Sequence, residues 1–183
     1  MQRNWIDDIL HFWFSELTPT DWWAGGPEID GRVRDRFLAT HEKIAAGIPE
    51  EAWTEPRAAL AAIIALDQFP RNMFRKTARA FATDKDALAL SKNAIEKGLD
   101  KGLSKSERQF MYMPHVHSEE LADQDRCVEL FRSLDDDDAV DHAVEHRDIV
   151  AQYGRFPHRN HVMGRESTPD EVAFMSRHKG FGQ

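Results

Sequence analysis

The most apolar stretch of the chain is Pro56-Arg-Ala-Ala-Leu-Ala-Ala-Ile-Ile-Ala-Leu-Asp-Gln-Phe-Pro-Arg-Asn72. Residues 58–66 are all alanine, leucine or isoleucine, and proline suits the first turn of a helix, where it stands here. These features predict a helix over 56–69 that is buried on most of its sides. The polar residues of 67–72 therefore come where a buried helix ends, which is a place where a site could form.

Apolar residues recur at helical spacing along most of the remaining chain. Together with capping and helix-ending residues, they predict further helices over about 5–16, 28–47, 84–97, 104–113, a segment after Ser118, 138–153 and 169–178. No segment shows the strict alternation that is typical of a β-strand. We therefore predict an all-α fold of antiparallel helical hairpins.

Four residues decide details of these helices. Thr83 and Ser118 are expected to be N-caps of the helices that follow them. Pro114 is expected to end its helix near Met113, because proline disfavours helical geometry in the residue before it. His41 lies outside the apolar stripe of its predicted helix.

The connection between the last two predicted helices, loop 154–168, is strongly cationic. It carries Arg155, His158, Arg159 and Arg165 in a chain whose formal net charge is −8. These side chains therefore need partners, either carboxylates elsewhere in the fold or an anionic ligand. Part of this loop also resembles residues 68–72 in sequence, which favours stacked helical hairpins.

Length and composition limit the possible classes of protein. With 183 residues, of which 41% are hydrophobic and 31% charged, we expect one globular domain, residues 1–183. Trp22 and Trp23 are expected to close one end of its core. The acidic balance argues against a nucleic-acid partner, because phosphate binding needs a larger basic footprint than one loop.

The sequence composition also indicates the cellular compartment of the protein. No segment approaches the roughly 20 apolar residues that cross a bilayer, so no membrane partner is expected. Cys127 is the one cysteine, which is typical of a reducing compartment, and we expect a cytoplasmic protein. The sequence does not indicate an oligomeric state.

Several motifs are shared with a known family. They are Leu66-Asp-Gln-Phe-Pro-Arg-Asn72, Ala80-Phe-Ala-Thr-Asp84, His117-Ser-Glu119 with Gln124, His146, Gly154-Arg-Phe-Pro-His-Arg-Asn160 and Gly164-Arg-Glu-Ser-Thr168. In these residues the chain resembles the bacterial domain of unknown function 924 family over nearly its whole length. The resemblance implies an all-helical fold similar to the tetratricopeptide-like α–α superhelix, and it implies no established activity.

The polar residues of these motifs form the candidate site. We predict that they line one pocket or groove, with Asp67 and Glu119 facing the arginines. The predicted set is Asp67, Gln68, Arg71, Arg75, His117, Glu119, Gln124, His146, Arg155, His158, Arg159 and Arg165. Either arginine–carboxylate pairs hold helix ends together here, or the arginines bind an anionic small molecule or an acidic peptide.

Catalysis is the alternative function. A histidine poised near neutrality, His117 or His146, could act as a general acid or base in a small-molecule hydrolase while the arginines orient an anion. Ser118 precedes an apolar helical pattern, so capping is favoured over a role as nucleophile. The sequence names no catalytic residue outright.

A metal centre is the third possibility. His142-Ala-Val-Glu-His146 matches the H-x-x-E-H pattern of inverted zinc proteases, and its histidines share a helix face. The third, acidic ligand that such a site needs is not evident in the short remainder of the chain. We therefore expect no metal and no cofactor.

Overall fold

The structure is a computed structural model that describes residues 5–178 and 180–181. Within these residues every regular element is helical and no strand is present, so the predicted all-α class is confirmed. The α-helices are α1 Trp5–His11, α2 Pro19–Ala24, α3 Pro27–Ala46, α4 Pro56–Ile63, α5 Phe69–Met73, α6 Asp84–Glu96, α7 Lys105–Val116, α8 Leu121–Arg132, α9 Asp137–Tyr153 and α10 Pro169–Met175.

Shorter turns connect or extend several of these helices. Two π-helical turns, Phe12–Glu16 and Ile64–Gln68, continue α1 and α4 directly. Through the second of them the chain passes without a break from α4 into α5, so the helix predicted over 56–69 continues to Met73. The 3₁₀ turns are Glu50–Trp53, Ala78–Phe81 and Pro157–Arg159.

Helix α4 lies at the centre of the packing, as the apolar stretch predicts. All its residues from Ala58 to Ile63 are fully buried, and it contacts α1, α6 and α7. Helix α8 packs against both α7 and α9, while α3 packs against α5. The likeness to a tetratricopeptide superhelix stays a prediction.

The chain beyond α9 has an apolar cluster of its own. Ile149, Val150 and Phe156 form its buried part, and Tyr153, Phe174 and Phe181 pack against them at the edge. This cluster fixes the start of loop 154–168 against the end of α9. The cationic residues of the loop are thereby held near the rest of the fold.

The prediction that Pro114 ends its helix is wrong. Helix α7 continues to Val116, with Pro114 inside it. A side chain of α8 lies against this helix end: Nε2 of Gln124 is 3.2, 2.7 and 2.6 Å from the carbonyl oxygens of His115, Val116 and Ser118. A buried amide thus satisfies carbonyl groups that the helix end leaves open.

One of the two predicted N-caps is correct in position and the other is wrong. Thr83 is the N-cap residue of α6, but its side chain makes no capping hydrogen bond and its Oγ1 donates to the carbonyl oxygen of Leu66 at 2.5 Å. Glu120 is the N-cap residue of α8, and the hydroxyl of Ser118 donates to Asp123 at 2.9 Å.

His41 is buried, although its position in the sequence lies off the apolar stripe. Its side chain is 5% exposed, and Nδ1 lies 2.8 Å from the carbonyl oxygen of Ala65 in the π turn. Because a carbonyl oxygen only accepts, Nδ1 must carry the proton. In a regular α-helix the carbonyl oxygen of Ala65 would accept from the backbone N–H four residues on. The π turn leaves this oxygen available to His41 inside the core.

The capping boxes are where the sequence predicts them. Ser104 and Thr168 each accept from the backbone N–H three residues on, and the glutamate there bonds back to the capping residue. Gly154 ends α9 in the left-handed conformation, with φ of 69°. Among the helices that the structure describes, none has both the length and the apolar character needed to cross a membrane.

The end of α2 gives a first testable prediction. Gly25 has φ of +57°, and a Cβ atom there would lie 3.0 Å from Nη2 of Arg75, which is held by Asp30. We expect Gly25→Ala to lower the free energy of unfolding by about 1–2 kcal/mol, because both the conformation and the contact oppose a side chain. Urea unfolding measures the change.

Gly31 provides the matched control. It lies inside α3, and a Cβ atom there would meet no atom within 4 Å. The same substitution, Gly31→Ala, should raise the free energy of unfolding by about 0.5–1 kcal/mol, because alanine is the better helix former. Changes of the same sign at the two positions would contradict the geometry described for Gly25.

Candidate functional site

A cavity of about 630 Å³ opens beside the end of the buried helix. Among the described residues, six parts of the chain line it: α2, the junction of α4 and α5, α7, the beginning and middle of α9, the 3₁₀ turn of loop 154–168, and Phe181 beyond α10. The predicted site residues that line it are Gln68, Arg71, Arg75, His117, His146, His158 and Arg159. Among the described residues, therefore, the structure brings together side chains from four separate motifs at one cavity.

The other predicted site residues lie behind the residues that line the cavity, or they bind parts of loop 154–168. They are Asp67, Glu119, Gln124, Arg155 and Arg165, and none of them is among the lining residues. Asp67 and Gln124 are fully buried, and Gln124 bonds the end of α7. As predicted, each of the two carboxylates lies next to an arginine: Asp67 next to Arg71, and Glu119 next to Arg165.

Asp67 is the buried centre of the polar network. It stands in the π turn, and its Oδ1 lies 2.7 Å from Nδ1 of His117, the residue that ends α7. Its Oδ2 accepts a hydrogen bond from Nε2 of Gln68 at 2.6 Å, and its Oδ1 lies 3.4 Å from Nη1 of Arg71. One carboxylate thus joins the α4–α5 junction to α7.

The charge states of this pair follow from its surroundings. Burial alone raises the pKa of Asp67, but the attraction of His117 and Arg71 outweighs it and lowers this pKa to about 2. Burial, with the nearby Arg71, lowers the pKa of His117 in spite of Asp67. At neutral pH Asp67 is therefore ionised and His117 neutral, with the proton on Nδ1 because an ionised carboxylate can only accept.

The other nitrogen of His117 is then free of a proton. Nε2 makes no hydrogen bond within the described part of the chain, and the ring lines the cavity. An imidazole oriented by a buried carboxylate, with an unprotonated nitrogen at a cavity, can accept a hydrogen bond or a proton from a bound molecule.

Two buried arginines lie beside this pair and are satisfied unequally. Arg71 binds Asp84 through both Nη groups, at 2.8 and 2.9 Å, and also donates to the carbonyl oxygen of Asp67. Arg159 donates from Nη1 to the carbonyl oxygen of His117 at 3.0 Å, and its nearest carboxylate oxygen, on Asp84, is 3.7 Å away. Asp84 therefore neutralises Arg71 more closely than Arg159.

The guanidinium of Arg159 is also enclosed by aromatic rings. Its Cζ lies 4.6 Å from the ring centroids of both Phe81 and Phe156. Burial, together with repulsion by Arg71, lowers the pKa of Arg159 to about 10, so it remains charged at neutral pH. Its Nε is buried and has no hydrogen-bond partner in the described residues.

Two more histidines and a C-terminal phenylalanine form one side of the cavity. His146 stacks on Phe181, with ring centroids 3.7 Å apart, and its Nδ1 donates to the carbonyl oxygen of His142 at 2.8 Å. Burial is the first cause that lowers the pKa of both His146 and His158, and the pKa of His158 falls to about 3. Both rings are neutral at neutral pH, which leaves the arginines as the cations of the cavity lining.

The remaining arginines of loop 154–168 form ion pairs outside the cavity. Arg165 binds both oxygens of Glu119, at 2.7 and 2.9 Å, and Glu119 also accepts from the backbone N–H of Phe156. Arg155 binds both oxygens of Glu171 in the first turn of α10. The two arginines also donate to carbonyl oxygens within the loop, Arg155 to Glu166 and Arg165 to Phe156, so their contacts hold the loop together and attach it to its neighbours.

Sequence reasoning missed several contributors to the site. Asp84 stands in a recognised motif and binds Arg71, but it is not among the predicted site residues. Trp23 was expected in the core and is instead 52% exposed, and Trp22 is only partly buried; both line the cavity. Their adjacent positions in a short helix offer no periodic signal of which face is exposed.

The H-x-x-E-H motif does not assemble a metal centre in the part of the chain that the structure describes. His142 and His146 lie close, with ring centroids 4.3 Å apart, but Glu145 pairs with His178 at 3.1 Å. No group of three or more potential metal ligands was found among the described residues.

Comparison with known proteins places the chain in a family. The sequence profile described as "Bacterial protein of unknown function (DUF924)" matches residues 9–179. The chain belongs to this family. The resemblance seen in the motifs is therefore confirmed, and the motif residues that converge on the cavity are those that carry it.

A solved structure from the bacterium Agrobacterium tumefaciens is similar to this chain. It is described as "Structure of Protein of Unknown Function ATU0120", with 38% sequence identity and a TM-score of 0.90. The similarity covers 94% of this chain and 97% of that one. A search of curated proteins gave no match.

The central role of Asp67 can be tested by Asp67→Asn. At pH 7 we expect a loss of about 3 kcal/mol in the free energy of unfolding, because buried Arg71 and His117 lose a charged partner. The folded-state pKa of about 2 lies below the ordinary value of 3.8, so this contribution is complete above about pH 4. It should decline as the pH falls toward 2, and urea unfolding at several pH values measures it.

Asp35→Asn is the control, because Asp35 is an exposed aspartate of α3. It should change the stability at pH 7 by less than about 0.5 kcal/mol. If Asp67→Asn were equally mild at pH 7, the carboxylate would not be the electrostatic centre described above.

Proposed function

We propose that the cavity binds an anionic small molecule and that Arg159 is the residue that holds it. One observation carries this proposal: Arg159 is a buried, charged side chain at the cavity without a close carboxylate of its own. It is 5% exposed, and the nearest carboxylate oxygen lies 3.7 Å away on Asp84, which is already bound by Arg71. A buried charge is costly unless it is paired, so an anion in the cavity would stabilise it.

The chemistry of the lining favours a carboxylate or a phosphate. A guanidinium presents parallel N–H groups that match the oxygens of either anion. Gln68 and His117 add an amide and an imidazole at the same cavity. Because the imidazoles are neutral at pH 7, selectivity for an anion rests on the arginines.

The size of the cavity favours a small molecule over an acidic peptide. At about 630 Å³ it lies within the range of about 300–1,000 Å³ that is common for small-molecule sites. Its lining mixes apolar and polar side chains, which such sites also do. We place this activity in the cytoplasm, an assignment that the free, buried Cys127 supports.

Thermal unfolding with a panel of anions tests the proposal: inorganic phosphate, succinate, benzoate and phenyl phosphate. A ligand at one hundred times its dissociation constant stabilises the native state by about 2.7 kcal/mol, which raises the midpoint of a chain of this size by roughly 5–10 °C. Arg159→Met should weaken the binding of that anion at least about tenfold, because a hydrogen bond to a charged group is lost. Titration calorimetry measures the dissociation constants.

Arg155→Met is the matched control. It removes an arginine of the same loop, but one that pairs with Glu171 outside the cavity. We expect it to lower stability and to leave the anion affinity unchanged. The proposal fails if no anion shifts the wild type while Arg159→Met alone loses several kcal/mol, because Arg159 would then serve only as a buried structural cation.

Acid–base catalysis is the second candidate function, and the pair of His117 and Asp67 favours it. The Nδ1–Oδ1 distance of 2.7 Å fixes the ring, and the unprotonated Nε2 is available at the cavity. In a hydrolase, Nε2 would take a proton from water, and the resulting hydroxide would attack the carbonyl carbon of an ester whose separate anionic group is held by Arg159. The C–O bond to the alcohol would then break, and the departing alkoxide would take the proton back from Nε2. His146 also lines the cavity, but its Nδ1 is held by a backbone carbonyl and not by a carboxylate.

Hydrolysis of anionic nitrophenyl esters tests this candidate. Any hydrolysis should be abolished by His117→Gln. The folded-state pKa of His117 is below 6.5, so the rate should be constant at neutral pH and fall only in the acid range, where the ring takes a proton. Hydrolysis that survives His117→Gln, or its absence in the wild type with all esters, would exclude His117 as the base.

A further inference from the structure

The cavity has an aromatic wall as well as a cationic one. Trp22 and Trp23 of α2 both line it, and Trp23 is 52% exposed. Tryptophan gains a large free energy from burial, so a half-exposed indole at a cavity is the kind of surface that a ligand covers.

The two indoles are held rigidly on their inner side. Trp22 donates from Nε1 to the carbonyl oxygen of Trp13 at 2.8 Å and meets the ring of Phe110 edge-on, with centroids 5.0 Å apart. Trp23 is parallel to the same Phe110 ring, at 5.7 Å and an interplanar angle of 11°. One face of Trp23 thus packs on the protein, and the exposed remainder is at the cavity.

Local hydrogen bonds define both ends of helix α2. A capping box of Thr18 and Asp21 begins it, and the backbone N–H of Gly25 bonds the carbonyl oxygen of Asp21 at its end. With these bonds and the contacts to Trp13 and Phe110, the tryptophans are held in place before any ligand arrives. Such preorganisation reduces the entropy that binding would otherwise lose.

Other planar groups line the cavity away from α2. The stacked rings of His146 and Phe181 belong to its lining, and so does Met113, whose thioether is suited to contact with aromatic rings. The same cavity therefore combines flat, polarisable surfaces with the buried guanidinium of Arg159.

On the basis of the anion site proposed above, we infer that its ligand is a planar aromatic acid. Arg159 binds the carboxylate or phosphate group, and the ring of the ligand stacks on the exposed indole of Trp23. A saturated acid of the same size would satisfy the guanidinium but would lose the stacking contact. Selectivity for a planar ring is the property that separates this ligand class from anions in general.

Matched pairs of anions test the inference by titration calorimetry: benzoate against cyclohexanecarboxylate, and phenyl phosphate against cyclohexyl phosphate. The members of each pair share charge and approximate size, and the saturated ring is no less apolar. Stacking should make the aromatic member bind about threefold to tenfold more tightly. Trp23→Leu should reduce this ratio to near one while the saturated acids keep most of their affinity.

Trp53→Leu is the control variant. It also removes one indole, but Trp53 packs against the core and does not line the cavity. The aromatic preference should survive it. Because stability changes in either variant, all titrations are made well below the lowest unfolding midpoint.

The possible results distinguish failure of the aromatic ligand class from failure of the proposed anion site. If saturated and aromatic acids bind equally, or if Trp23→Leu leaves the ratio unchanged, the aromatic ligand class is wrong and the anion site stands. If none of the four acids binds to the wild type, the aromatic ligand class is wrong, and the anion site fails as well if inorganic phosphate and succinate also do not bind.

Discussion

The fold around the cavity depends on the carboxylate of Asp67. It is fully buried, and it binds His117 from α7 and Gln68 and Arg71 from the α4–α5 junction. A carboxylate in such a place is stable only because each of its oxygens has a charged or hydrogen-bonding partner. The same contacts set the tautomer of His117, so one buried charge both joins the helices and determines what the imidazole offers to the cavity.

The arginines of the family motifs divide by the partners that they find. Arg155 and Arg165 each bind both oxygens of a glutamate, and Arg71 does the same with Asp84. Arg159 comes from the same cationic loop, but it has the most buried side chain of the loop arginines and no close carboxylate of its own. Structural pairing and the proposed ligand binding are therefore compatible within one loop, because the proposal assigns them to different guanidinium groups.

The sequence predicted those features that depend on neighbours along the chain. The capping boxes at Ser104 and Thr168 are local hydrogen bonds, and the burial of α4 follows from its composition. The side-chain partner of Thr83 and the end of α7 were not predicted, because both depend on contacts between separate parts of the chain. Thr83 bonds Leu66, and the end of α7 is bonded by Gln124, so the deciding partner is distant in sequence. The converging motifs likewise indicated a site, but not which arginine would lack a carboxylate.

The π turn Ile64–Gln68 has a consequence for how this family can vary. A π turn is equivalent to one extra residue in a regular helix. Because the turn absorbs that residue locally, losing one residue there would restore an unbroken α-helix and leave α4 and α5 close to their present orientations. The residues inside the turn would change direction instead, so Asp67 would point away from its partners although no polar residue had been changed. A single-residue deletion in this turn would thus remove the polar network while the composition of the helix stayed almost the same.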